Sequence, residues 1–276
     1  MGTAWSNAIS LISQNKDTVG AIIGLFFFLP YFAVTLLVPQ AANPQGPDLA
    51  PGASPDAAAR AALDQITAAY ADNWPVLLGV TLIQFVGSLA LLSLLGNPDS
   101  PTVGQALKRG LAAVPAYFAA QLLSAVFVAV AVGVPLGLVS YVAPGFVVGV
   151  VLLGLMLAAI YFFVKFSLVA PVVAIEGVRN PVAALMRSWR LTKGNSFRIA
   201  TFILLLFVTI GIVTALASMV LGLVFALFDQ GVADIGNAAV ASLVNTLLGA
   251  IFVVVLAAVH GQLAGPSSQQ LASTFE

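Results

Sequence analysis

Six apolar runs, each at least the roughly twenty residues that cross a bilayer, alternate with short polar stretches along the 276-residue chain. They cover Thr18–Val38, Trp74–Leu95, Leu111–Val134, Phe146–Pro171, Phe197 to about Phe228 and Ala238 to about Leu263. The first is too long for the core of a secretory signal and follows one Lys beside one Asp, so it reads as a retained helix containing Pro30. The fifth exceeds what a bilayer needs. It has to tilt, break near Gly211 or Gly222, or protrude.

The polar stretches carry the rest of the information. Residues 41–73 form an external insertion. Its first half (AANPQGPDLAPGASP) is rich in Pro and Gly and reads as irregular; in its second half Ala59, Ala62, Ile66 and Tyr70 recur helically and predict a small helix capping the outer face. Asp48, Asp56, Asp64 and Asp72 lack the alternating spacing of a calcium loop and read as solvated. Residues 172–195 form a connector and an amphipathic helix. Asn180 suits the N-cap, Pro181 the first helical position and Gly194 the stop. Val182, Leu185, Met186 and Trp189 make one apolar face, with Arg187, Arg190 and Lys193 directed elsewhere. That pattern predicts an interfacial elbow between two spans; the competing account is a solvated charged loop. Shorter elbow patterns occur at residues 3–15 (Trp5, Ala8, Ile9, Ile12) and after Ser100-Pro101 (Val103, Ala106, Leu107, Lys108, Arg109, Gly110). The tail, residues 264–276, is polar and expected to fray.

Aligning Ala8-Ile9, Ala106-Leu107 and Ala184-Leu185 places an elbow before each pair of spans, a threefold elbow-plus-hairpin repeat. Any six-span protein with three connections on one side gives a similar pattern. An even number of spans puts both termini on one side. That side carries Lys16, Lys108, Arg109, Arg179, Arg187, Arg190, Lys193 and Arg198, against Arg60 alone on the other. By the positive-inside rule both termini are cytoplasmic.

Composition fixes the class. With 61% hydrophobic and 7% charged residues and a mean hydropathy of +1.07, a water-facing surface could not be covered. The fold class is all-α: a polytopic transmembrane bundle, with residues 1–276 read as one integral membrane domain. The absence of cysteine excludes disulfides, thiolate metal sites and Cys nucleophiles.

The stretch FSLVAPVVAIEG followed by NPVAALMRSWRLTKGNSFRI resembles the membrane domain of bacterial glycerophosphoryl diester phosphodiesterases, and is similar to the uncharacterised inner-membrane proteins of the YciC type. Pro171, Glu176, Ala184, Arg187, Ser188, Trp189, Leu191, Thr192, Gly194 and Asn195 carry the likeness, over about thirty residues. The resemblance implies a multi-pass module of the bacterial cytoplasmic membrane. It supplies no chemistry, because in that family the hydrolase is a separate soluble domain, expected to be absent here.

Phosphodiester hydrolysis needs metal-binding carboxylates and paired acid–base groups. The chain has one histidine, His260, and carboxylates scattered over loops, so the expectation is no enzyme, no metal and no cofactor. His260 reads as a packing or interface residue. Lys165, the charge inside a span, is a functional candidate by default, with snorkelling to the interface as its rival. Gln84, Gln121 and Asn245 lie deeper in spans; interhelical hydrogen bonds are the plainer account of them and a translocation path the other. Gly20/Gly24 and Gly145/Gly149 have the spacing that permits close helix approach. Arg187, Arg190, Lys193, Trp189, Lys108 and Arg109 are candidates for anionic headgroups, and Glu176 for pairing with an elbow arginine. Membrane lipids are the expected partners, with proteins as a second class and nucleic acid excluded for want of a basic domain. The oligomeric state is open. The leading expectation is a non-enzymatic membrane module engaging anionic or glycerophospholipid headgroups or partner proteins; the alternative is a small transporter or permease component.

Overall fold

The computed structural model describes residues 16–38, 54–96, 102–142 and 144–265. Every regular element among them is helical. Helix α1 is a continuous run, Lys16–Leu37, with a π turn at Gly24–Phe28. It is followed by α2 (Pro55–Gly96), α3 (Val103–Val142), α4 (Gly145–Phe166), α5 (Val169–Ala174), α6 (Pro181–Leu191), α7 (Ser196–Phe225) and α8 (Gln230–Ala264). Six helical stretches are long and apolar enough to cross a membrane: Lys16–Leu37, Arg60–Gly96, Val103–Val139, Gly145–Ala174, Ser196–Phe225 and Gln230–Ala264. Each overlaps one of the six apolar runs, but the second and sixth start well before theirs, at Arg60 and Gln230 rather than Trp74 and Ala238.

Local sequence accounts for most boundaries. The π turn of α1 immediately precedes Pro30, which has no N–H for the ladder. Helix α3 opens with a capping box: Gln105 N–H donates to Thr102 Oγ1 at 3.3 Å, and Thr102 N–H to Gln105 Oε1 at 3.1 Å. After Phe166 the chain breaks at Ser167 and Leu168 before α5, because Pro171 cannot donate to the Ser167 carbonyl and its ring crowds that turn. Gly177, at φ +71°, closes α5, with Val178 N–H reaching back to the Val172 carbonyl at 3.4 Å. Asp229 Oδ1 accepts from Val232 N–H at 3.2 Å at the start of α8.

Several expectations change. The Ala-rich second half of the external insertion is not a separate cap; it continues into the second span as one 42-residue helix that runs through Pro75 without ending. The short elbow at Val103–Gly110 is likewise the first part of the 40-residue α3. Helix α7 runs its 30 residues without a break at Gly211 or Gly222. Gly20, Gly24, Gly145 and Gly149 face open space, so among the described residues the small-residue pairs seat no neighbouring helix. The elbow at residues 3–15, the Pro/Gly-rich residues up to 53, Ser100-Pro101 and the tail beyond 265 lie outside the described residues.

The chain divides into two compact units whose boundaries fall inside helices. The first comprises Met1–Val19, Ser88–Thr209 and Phe252–Glu276, and so contains α3 to α6 whole. Here α3 packs on α4, α5 and α6. Leu89, Leu91, Leu92, Leu168, Val172, Val173, Ile199 and Val255 are fully buried. Gly96 lies against Ile175, where an added Cβ would sit 2.6 Å from its side chain.

The second unit comprises Gly20–Gly87 and Ile210–Ile251. Its close approach is at Gly87, where a Cβ would fall 2.4 Å from Phe26 Cβ. Phe27 is buried, and its ring stands 3.1 Å from the Cβ position of Gly249. Charge separates between the units. The eight cations assigned to the cytoplasmic side all belong to the first, and Arg60, Asp64, Asp72, Asp229 and Asp234 to the second.

Candidate functional site

The site is the 11-residue α6 and what holds it. Asn180 caps it as its sequence predicts, Oδ1 accepting from the N–H groups of Val182 at 3.0 Å and Ala183 at 3.1 Å. Thr192 closes the other end, its Oγ1 donating to the Ser188 carbonyl at 3.0 Å, and Gly194 turns the chain at φ +83°.

The face turned into the protein is made mostly of small residues. Ala184, Ser188, Leu191 and Thr192 are buried, at positions i, i+4, i+7 and i+8. Ser188 Oγ donates to the Lys165 carbonyl at 2.7 Å, tying α6 to the end of α4. That carbonyl is free because the helix breaks just beyond it. Val182 and Met186 are each 50% exposed. The expected apolar stripe therefore splits: its outer half is open, while Trp189 turns inward.

Trp189 meets an aromatic cluster on α4, with ring centroids 5.8 Å from Tyr161, 6.3 Å from Phe162 and 5.8 Å from Phe166. Lys165 is buried there. Its ammonium sits over the faces of Trp189 (5.2 Å) and Tyr161 (5.3 Å). The side chain does not snorkel to an open interface; two aromatic faces take the place of water. Trp189 thus forms one wall of a cage around Lys165.

Glu176 anchors the other side. Its carboxylate accepts from Arg187 Nε at 2.9 Å through Oε2 and 3.2 Å through Oε1, and from His260 Nε2 at 2.9 Å. An ionised carboxylate only accepts, so this contact selects the His260 tautomer protonated at Nε2. Burial alone would raise the Glu176 carboxyl; the hydrogen bonds from Arg187 and then His260 outweigh it and hold the pKa below the ordinary value. Three elements meet at one carboxylate: α6, the connector and α8.

The other sequence candidates separate. Arg187 is committed to Glu176, whereas Arg190, Lys193, Lys108 and Arg109 are exposed. Pro171 is buried in α5. Gln121 Nε2 donates to Tyr117 Oη at 3.0 Å one turn away on α3, and Asn245, exposed, donates to the Ala241 carbonyl of its own helix at 2.9 Å. Gln84 is half-buried on α2. Sequence reasoning missed the His260–Glu176 contact, which spans 84 residues and leaves no local signal. It also missed the cage, although Tyr161 stands one turn before Lys165. Among the described residues no three His, Asp or Glu side chains converge as metal ligands.

Six apolar helices and a short helix clasped to two of them define a multi-pass helical membrane protein. Residues 122–263, more than half of the chain, match the family model described as the membrane domain of glycerophosphoryl diester phosphodiesterase, and the chain belongs to that family. The match contains the whole clasp, Lys165, Glu176, Arg187, Ser188 and His260. No curated protein and no solved structure matches the chain.

Proposed function

We propose that the chain is a non-catalytic module of the bacterial cytoplasmic membrane, with both termini in the cytoplasm, and that α6 lies in the inner leaflet's interface and engages anionic or glycerophospholipid headgroups. One observation carries this reading. Helix α6 is fixed along one face, yet leaves Val182 and Met186 exposed beside the exposed cations Arg190 and Lys193. An apolar stripe edged by cations is what an interface accepts. The gathering of eight cations in one unit supports the orientation. A protein partner on the same surface is the other occupant of this reading. A permease role has less support, because Gln121 and Asn245 spend hydrogen bonds within their own helices.

The test is lipid retention by the purified chain in native mass spectrometry. Replacing Arg190 and Lys193 together by Gln removes two headgroup cations at about 1 kcal/mol each, before screening. Preference for phosphatidylglycerol over phosphatidylcholine should fall about tenfold or more. An unchanged preference would leave these cations a role in topology alone.

A further inference from the structure

Within the first unit a pocket of about 360 Å³ lies between α3, α4 and α8. Its polarity runs one way on two helices. On α3 the lining passes from Tyr117, Gln121 and Ser124 to Ala125 and Val128; on α4, which the short connection makes antiparallel, it passes from Ser167 to Phe163 and Ala159. The polar ends coincide, and the apolar ends coincide. The polar end is level with the elbow: Phe166, a pocket wall, contacts Trp189, and Phe127 of α3 packs on Phe162 and Phe166 at 5.1 and 5.9 Å.

No charged side chain lines the pocket, so it is not built for a headgroup phosphate. Gln121 supplies a donor at its polar end. A glutamine amide carries two N–H donors; one of those on Gln121 goes to Tyr117 Oη, while Ser124 Oγ donates to the main-chain carbonyl of Gln121 at 2.9 Å and lies 3.5 Å from its Oε1. The second Gln121 N–H suits an uncharged acceptor. Phe163 is both a pocket wall and 49% exposed, so entry is sideways, from the apolar surface. The volume is at the small end for ligand pockets, which run from about 300 to 1,000 Å³. It accepts part of one chain, not a whole two-chain lipid.

We infer that this pocket holds one acyl chain of a membrane glycerolipid, with the ester carbonyl accepting from Gln121 and the chain running past Ala125, Phe163 and Phe252 to Val128. Assigning the amphiphile to the bilayer rests on the interfacial reading of α6. The pocket grips ester and chain; the elbow cations meet the headgroup.

The experiment uses the full chain in detergent, titrated in native mass spectrometry with dioleoyl phosphatidylglycerol and with its diether analogue, which lacks the ester carbonyls. The wild type should retain the diester about fivefold more strongly, the worth of one neutral hydrogen bond. Gln121→Leu should abolish that discrimination, and Ala159→Phe, which fills the apolar end, should lower retention of both lipids at least tenfold. Equal retention of diester and diether by the wild type, or undiminished retention by a folded Ala159→Phe variant, would overturn the proposal. The wild-type comparison decides the matter even if a variant fails to fold. Repeating it with phosphatidylcholine separates the two readings: headgroup preference belongs to Arg190 and Lys193, ester discrimination to Gln121.

Discussion

Replacing Glu176 by Gln removes the charge at which α6, the connector and α8 meet, at nearly constant volume. The two contacts contribute unequally. Arg187 keeps 42% of its side chain exposed, so its ion pair is screened and worth about 0.2–1 kcal/mol. His260 has a side chain only 5% exposed; a hydrogen bond to an ionised group is worth about 1.5–3 kcal/mol, of which a neutral Gln oxygen retains about 1. Glu176→Gln should therefore cost about 1–2.5 kcal/mol and Arg187→Gln under about 1. Glu176→Leu should cost more than either, since it strands the buried imidazole. Reversible unfolding in mixed micelles reads all three, and a Glu176→Gln/His260→Gln cycle should show coupling of about 1 kcal/mol. The pH dependence has a definite sign. The folded pKa of Glu176 lies below its ordinary 4.5, so this stabilisation is complete above that value and is lost as pH falls through the folded pKa. The wild type's advantage over Glu176→Gln should hold at neutral pH and vanish in acid, as pH falls below the folded pKa. An Arg187→Gln cost larger than that of Glu176→Gln, or an advantage constant with pH, would refute the reasoning.

Asn180→Ala should destabilise the chain by about 1 kcal/mol by removing the acceptor of two helix N–H groups, read in the same unfolding assay. Gly87→Ala should cost about 1–3 kcal/mol because Phe26 Cβ cannot yield without moving helix α1. Gly20→Ala, in open space on the same helix, should instead be neutral or stabilising by up to about 1 kcal/mol. Lys165→Met keeps the stem but loses the cation over Trp189 and Tyr161. It should cost about 0.5–2 kcal/mol and shift Trp189 emission, measured with Trp5 and Trp74 replaced by Phe.

The spans and the termini of α6 were legible because each is written locally. Length and hydropathy define a span, and Asn180-Pro181 with Gly194 define a capped helix. What failed was what depends on distant packing. Whether the short pattern at Val103–Gly110 stands apart from its span depends on a break that its residues do not supply, and Thr102 with Gln105 starts a single long helix. The apolar stripe of α6 was visible, but not that its small face would be the buried one. Ser188 outcompetes bulkier residues there because a carbonyl freed by the break before Pro171 needs a donor. Glycine spacing misled for a related reason: close approach needs a partner, and among the described residues Gly87 and Gly96 have one where Gly20 and Gly24 do not. His260 reads as a lone packing residue until α8 brings it to Glu176.

The central claim is that α6 lies in the interface with Val182 and Met186 toward lipid and Lys193 toward water. Spin labels at Met186→Cys and Lys193→Cys, in nanodiscs containing phosphatidylglycerol, test it directly through their accessibility to oxygen, which concentrates in the bilayer, and to a water-soluble nickel chelate. The account predicts a label at 186 that favours oxygen and a label at 193 that favours nickel. Nickel-dominated accessibility at both positions would put the helix in water and contradict it.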